Sequence, residues 1–68
     1  MTVKDAENII LARCEVIYNG ITYARAVAYE RWYDCRDKKW HMSLILQDCR
    51  NQNSIMRAVP ERCTVIPL

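Results

Sequence analysis

The pair Asn19-Gly20 is the feature of this sequence that most constrains its fold. It separates two runs rich in β-branched and aromatic residues, at 13–18 and 21–32. Both residues tolerate the positive φ of a tight two-residue turn, so Asn-Gly between such runs is the strongest short signal for a β-hairpin. The second run is long for a strand in a small protein, and we therefore expect it to bend at a β-bulge.

A short helix is predicted before the hairpin, over residues 3–11. Apolar residues recur there at spacings of three and four: Val3, Ala6, Ile9 and Ile10. This period places them on one face of a helix. The hydroxyl of Thr2 can accept a hydrogen bond from the amide of Asp5, in the manner of a capping box.

The remaining strands are predicted from alternation and from turn residues. Further strands are expected over 40–47, 54–59 and 63–66, with loops over 33–39 and 48–53 and one helical turn at 60–62. In 40–47, apolar and polar side chains alternate, which is typical of a half-buried strand. Trp40 is thereby assigned to the core, and His41 to the opposite, outward face.

The expected fold class is mainly β, a small α+β domain with one short N-terminal helix. The 68 residues are sufficient for a single domain, 1–68, with the helix over 3–11 and the strands over 13–66. Five short antiparallel strands that must bury one apolar face and hide their edges tend to curl into a small barrel. We therefore predict a five-stranded antiparallel barrel.

Residues 54–66 carry a resemblance to known folds. A strand that runs into a proline-bearing helical turn and then a short closing strand resembles the end of a Src-homology (SH3) or Tudor-type small barrel. The likeness covers about residues 13–66 and implies the SH3-like barrel fold. The acidic loop and the aromatic cage of those families are missing, so their ligands are not carried over.

The whole chain also resembles a functional class of small proteins. The opening at 2–7, the Asn-Gly hairpin and the closing strand are similar to small accessory proteins of bacterial mobile elements and phages. Some of these are anti-CRISPR inhibitors, which bind and block a nuclease complex. The resemblance implies a bacterial or phage inhibitor or accessory protein.

The cysteines predict reduced thiols and no cofactor. Four are spread along the chain: Cys14, Cys35, Cys49 and Cys63. The N-terminal residues 1–7 are charged and lack an apolar signal core, and no stretch is apolar enough to span a bilayer, so we expect a cytoplasmic protein with free cysteines. Zinc bound by cysteines with His41 is the alternative, but the closely spaced cysteine pair of such sites is absent.

The chemistry-bearing residues do not form an enzyme motif. There is one histidine, His41, and no local Cys–His signature of a nucleophilic enzyme. A single glycine excludes a glycine-rich phosphate loop. We therefore predict a non-catalytic protein.

Binding residues are predicted from basic and aromatic side chains in the C-terminal part of the chain. The first group surrounds the 33–39 loop and comprises Arg31, Trp32, Tyr33, Arg36, Lys38 and Lys39. The second group follows the next turn and comprises Arg50, Arg57 and Arg62. Trp, Tyr and Arg are the usual anchors of protein interfaces, and basic residues with aromatics also suit single-stranded nucleic acid. The structural alternative is that Trp32 closes one end of the barrel and the charges only solvate the loop.

Two functions from different classes follow. The first is a protein-interaction module, an accessory or inhibitor of a bacterial mobile element or phage, with a nuclease or nucleoprotein complex as candidate partner. The second is a nucleic-acid-binding small barrel for single-stranded or structured targets. The formal charge of +2 and the interspersed acidic residues favour a protein partner. A homodimer is a third alternative, because so small a core gains from a partner surface.

Overall fold

A computed structural model describes residues 1–48, 50 and 54–67. Its elements are α1 (Val3–Ala12), β1 (Glu15–Tyr18), β2 (Ile21–Tyr23), β3 (Arg25–Asp34), β4 (Lys39–Gln47), β5 (Ile55–Ala58), a 3₁₀ turn (Pro60–Arg62) and β6 (Cys63–Ile66). In these residues the strands form two three-stranded antiparallel sheets, in the orders β2-β1-β6 and β3-β4-β5. The predicted mainly-β α+β class is confirmed.

The predicted five-stranded barrel over 13–66 is wrong. Six strands are present in the described part of the chain, and they form two sheets rather than one closed barrel. The cause lies in the predicted second strand, which breaks at Ala24: β2 stays in the first sheet and β3 enters the second. The Ala24 N–H donates to the Gln47 carbonyl oxygen over 3.0 Å, which fixes the crossing point. The predicted resemblance to Src-homology and Tudor-type barrels is therefore wrong, because the described strands form two separate three-stranded sheets.

The predicted N-terminal helix is confirmed. The Thr2 hydroxyl accepts from the Asp5 amide at 3.1 Å, and the Asp5 carboxylate accepts from the Thr2 amide at 2.9 Å, which completes the capping box. These hydrogen bonds lower the pKa of Asp5, because they favour the ionised carboxylate. The helix ends at Arg13, whose φ of 57° is left-handed.

The predicted hairpin and bulge are also confirmed. Asn19 and Gly20 have φ of 52° and 77°, and the turn sets Tyr18 opposite Ile21. In β3 the register shifts between Ala26 and Ala28, leaving Val27 as the extra residue. Beyond the bulge, β3 pairs with β4 without a further register shift, from Ala28 opposite Ile45 to Asp34 opposite Lys39.

The core lies between the helix and the two sheets. Its fully buried larger side chains are Val16, Leu44 and Leu46, and Ala6 of α1 and Ala26 of β3 are buried with them. Small residues at these two positions let the helix approach the sheet closely. None of the described helices is long and apolar enough to cross a membrane.

The distal part of the β3–β4 hairpin projects from this core. β4 spans Lys39–Gln47, but β5 pairs only with its residues 44–47. Residues 31–41 therefore form a two-stranded extension, here called the distal ribbon, in a molecule of 36 × 21 × 19 Å. The loop predicted over 33–39 is shorter than expected, because the strands reach Asp34 and Lys39.

Two predictions concern residues that lie partly or wholly outside the described part of the chain. The turn predicted over 48–53 lies largely outside them, although the Arg50 amide donates to an Asp48 carboxylate oxygen at 2.7 Å. Cys49 also lies outside. The predicted helical turn at Pro60 and the last strand, Cys63–Ile66, are confirmed.

Candidate functional site: the distal ribbon

The register of β3 against β4 sorts the distal ribbon into two faces. Tyr33 pairs with Trp40 and Arg31 with Met42, which lie four and two residues before the buried Leu44 along the same face. This inner face continues the core face of the sheet, since every second side chain points the same way. Trp32 and its partner His41 lie on the opposite, outer face.

The inner face is an open aromatic and cationic surface. Trp40 is 62% exposed and Tyr33 is 48% exposed. The two rings meet edge to face, with centroids 5.6 Å apart, and the Arg31 guanidinium lies 5.0 Å from the centre of the Trp40 ring. The assignment of Trp40 to the core is wrong: its ring lies at the surface against Tyr33 and Arg31, beyond the part of β4 that pairs with β5.

The outer face carries a second aromatic stack. Trp32 and His41 lie directly opposite each other, with ring centroids 5.6 Å apart and planes within 26° of parallel. The His41 Nε2 atom is 2.6 Å from a carboxylate oxygen of Asp37. His41 is half-buried rather than fully outward, and Trp32 remains 42% exposed instead of closing a barrel end.

Short polar contacts fix the turn at the tip of the distal ribbon. Asp34 accepts from the Arg36 amide at 2.8 Å, and Asp37 accepts from the Lys39 amide at 2.9 Å. The Lys38 amide donates to the Asp34 carbonyl oxygen at 2.8 Å, and Lys38 adopts a left-handed φ of 57°. Because the carboxylates hold the backbone, the basic side chains are left exposed at the tip.

Among the described residues, no cysteine lies with His41 as the predicted alternative zinc site would require. In the described ranges, the cysteines Cys14, Cys35 and Cys63 are free thiols and none is grouped with His41. Asp34, Asp37 and His41 bring one donor atom each within 4.8 Å of one another. Their hydrogen bonds to the turn and to each other account for this proximity, so we assign no metal to them.

An ion pair ties Arg57 to the base of the distal ribbon. Arg57 of β5 donates to the Glu30 carboxylate over 3.1 Å. Glu30 pairs with Ser43, and Arg57 pairs with Ile45, so the ion pair crosses the outer face of β4. Ser43 and Ile45 are buried, which such a cover explains. Together with Trp32, the ion pair borders a shallow surface pocket.

The structure brings most of the predicted binding residues together. Six of them share the distal ribbon: Arg31, Trp32, Tyr33, Arg36, Lys38 and Lys39. Arg57 adjoins it through Glu30. The other two predicted residues, Arg50 and Arg62, are exposed, and among the described residues neither forms an ion pair with the distal ribbon.

Two site residues were missed from the sequence, Trp40 as a surface ring and Glu30 as a partner of Arg57. The signal for Trp40 was present: aspartates at 34 and 37 mark a tight turn, and a four-residue turn would set Trp40 opposite Tyr33. Glu30 of β3 and Arg57 of β5 are separated by the whole of β4 and by the segments on either side of it, so no local pattern joins them.

Comparison of the chain with protein-family models, with curated proteins and with solved structures finds no match. The resemblance to accessory proteins of bacterial mobile elements and phages, and to anti-CRISPR inhibitors, therefore has no relative to support it. We do not carry it further.

Proposed function

We propose that the protein is a non-catalytic protein-interaction module that binds a partner through the distal ribbon. The observation that carries this proposal is the projecting inner face, where Trp40, Tyr33 and Arg31 lie open beside one another. These three residue types dominate the energy of protein interfaces. Tryptophan and tyrosine bury a large area with few rotatable bonds, and the planar guanidinium of arginine can form several hydrogen bonds at once. Their mutual contacts also fix the side chains before a partner arrives, which reduces the entropy cost of binding.

The position of these rings supports the proposal. A protein with a small core gains stability from each large side chain that it buries, so a tryptophan left mostly in solvent is costly to retain. Exposed aromatic groups rimmed by polar residues are typical of interaction sites. The tip residues Lys38 and Lys39 and the aspartates of the turn supply such a polar rim.

The surroundings of His41 support the absence of catalysis. Its ring is stacked on Trp32 and its Nε2 atom contacts Asp37, so it is held in a structural cluster at the surface. A nucleophile in reach of a base is the signature of covalent catalysis. No described cysteine is grouped with His41. Action in the cytoplasm is part of the proposal, and free thiols at Cys14, Cys35 and Cys63 are in keeping with a reducing compartment.

The experiment is affinity capture from a lysate of the source cell, with the bound proteins identified by mass spectrometry. We expect the wild-type protein to retain a partner that the double variant Tyr33→Ser, Trp40→Ser loses. The matched control is Leu11→Ser, Val27→Ser, which removes two exposed apolar side chains away from the distal ribbon. Equal retention by the wild type and the ribbon variant, or loss only in the control, would disprove the proposal.

Nucleic-acid binding is the second candidate function, and one observation favours it. Arg31 over the Trp40 ring, beside Tyr33, offers a cation and two ring faces, and Lys38 and Lys39 lie at the same end of the hairpin. Bases stack on such rings and phosphates bind the cations. The aspartates at 34 and 37 reduce the positive potential and favour the protein partner.

Salt dependence separates the two functions. We expect no mobility shift of single-stranded or duplex oligonucleotides at about 50 mM salt, where phosphate contacts are strongest. A shift that weakens steeply between about 50 and 200 mM salt, and that the Trp40→Ser variant loses, would establish the second function instead.

A further inference from the structure

The edge of β4 at the base of the distal ribbon is open. β5 pairs with Leu44–Gln47 through its residues 55–58, and the chain then turns away at Pro60. Proline has no amide to continue the ladder. In the part of the chain that the structure describes, no strand pairs with this edge of residues 39–43.

The backbone groups that point to this edge can be assigned from the ladder. The Gln47 carbonyl oxygen faces β3, where it accepts from Ala24, and the Asp48 amide faces β5, where it donates to Ser54. Backbone groups alternate in direction along a strand. The amides and carbonyls of Trp40 and Met42 therefore point toward the open edge.

A cleft of about 320 Å³ is lined by residues of this edge, by Arg31 and Trp32 of β3, and by Met1, Val59 and Glu61. One wall is β4, with the side chains of Trp40 and Met42 on one side of the strand and His41 on the other. Neighbouring strands lie about 4.8 Å apart, and residues from the N-terminus and from the segment around Pro60 line the cleft beside this edge, so it suits one extended chain better than the edge of a second folded sheet.

We propose that an extended segment of a partner protein binds in this cleft as an added strand, antiparallel to β4, along the course that β5 abandons at Pro60. The step rests on the proposed function and names the form in which the partner is bound. Strand addition gives affinity through main-chain hydrogen bonds and specificity through alternate side chains. Trp40 connects the inner face with the open edge, because its ring lies on the inner face and its amide points to the open edge.

Charge sets the chemistry of the segment and its direction. The distal ribbon carries four basic side chains, those of Arg31, Arg36, Lys38 and Lys39, against the two acidic ones of Asp34 and Asp37. Glu61, which also lines the cleft, belongs to the turn that follows β5. An antiparallel strand enters beside Glu61 and leaves toward Lys39. Its first residues should therefore be neutral and its last residues acidic, with apolar side chains facing Trp40 and Met42.

A synthetic peptide tests the proposal directly. The probe is the acetylated, amidated heptapeptide TVTVEVE, in which valines face Trp40 and Met42 and the glutamates come last. We expect a Kd of about 1 mM or tighter, with shifts of the Trp40 and Met42 amide resonances in NMR titration. At a peptide concentration tenfold above Kd, exchange of these two amides with solvent should slow by about tenfold, since only the free fraction remains open.

Matched peptides test the backbone geometry and the polarity. Residues of an added strand that lie opposite Trp40 and Met42 turn their amides toward β4, so N-methylation of the valines should abolish binding. N-methylation of the threonines and glutamates should leave it intact. The reversed peptide EVEVTVT, with the same composition, should bind at least several-fold more weakly, because its glutamates meet Glu61.

Three results would overturn the proposal. The first is the lack of any shift at Trp40 and Met42 with about 5 mM peptide, which corresponds to a Kd too weak for strand addition. The second is equal binding of the two N-methylated peptides. The third is the same amide shifts on raising the protein concentration alone, which would make a second copy the occupant. These results leave the proposed function standing as long as the captured partner still depends on Tyr33 and Trp40, so the two failures are distinguishable.

Discussion

Replacing Trp40 by alanine asks whether its ring belongs to the core or to the surface of the distal ribbon. The residue is 62% exposed, so little more than a third of its surface is covered. A fully covered tryptophan buries up to about 250 Å², so the substitution uncovers at most about 95 Å². At about 25 cal/mol per Å², this amounts to roughly 2 kcal/mol, and the compactness of real unfolded chains reduces it further. We therefore expect Trp40→Ala to lower the free energy of unfolding by about 1–2 kcal/mol.

The matched control is Leu44→Ala, four residues along the same face of β4, where the side chain is fully buried. Truncating a core leucine costs about 2–5 kcal/mol, and truncating a core tryptophan about 3–5 kcal/mol. Urea unfolding followed by far-UV circular dichroism gives both values, with the m-value as a check that the unfolding transition is unchanged. A Trp40→Ala variant that loses as much stability as Leu44→Ala would refute the placement of this ring outside the core.

Three further predictions concern the helix, the hairpin and the thiols. Thr2→Ala should lower the free energy of unfolding by about 1 kcal/mol in urea, because the helix loses its cap. The pKa of Asp5 is lowered on folding, so its contribution is present above its ordinary value of 3.8 and is lost as the pH falls through the folded pKa. The difference in urea midpoint between wild type and Asp5→Asn should thus vanish in acid, and a constant difference would contradict the cap. In Gly20→Ala the added Cβ meets no atom within 4 Å, but the alanine must hold a φ of 77°. We expect the free energy of unfolding to fall by about 1 kcal/mol from backbone strain alone. An unchanged urea midpoint would count against this turn. Burial, with a nearby carboxylate, raises the pKa of the Cys63 thiol. Iodoacetamide should therefore alkylate the exposed Cys35 before Cys63, as read by mass spectrometry, and the reverse order would contradict the assigned burial.

Local rules were sufficient for the separate elements. The capping box at Thr2, the turn at Asn19-Gly20 and the 3₁₀ turn at Pro60 each depend on residues a few positions apart, and each was predicted. The way in which the strands divide between two sheets was not predicted. It depends on the crossing at Ala24 and on the early end of β5, and both are set by contacts between distant parts of the chain.

The same distinction applies to the candidate site. The residues from Arg31 to Lys39 were predicted as one group because they are neighbours in sequence, and a hairpin keeps such neighbours together. The exposure of Trp40 could not be read from its alternation, since alternation gives the face of a strand and not the length of the strand beside it. The Glu30–Arg57 ion pair has no local sequence signal, because its two residues are 27 positions apart.

The most direct test of the central claim is solvent access to Trp40 with and without a partner. In a Trp32→Phe variant, Trp40 is the one remaining tryptophan, so its fluorescence reports on this ring alone. We predict efficient acrylamide quenching in the free protein and quenching at least several-fold weaker in the complex with the captured partner. Quenching that stays the same in the complex would contradict the claim that the distal ribbon is the binding surface.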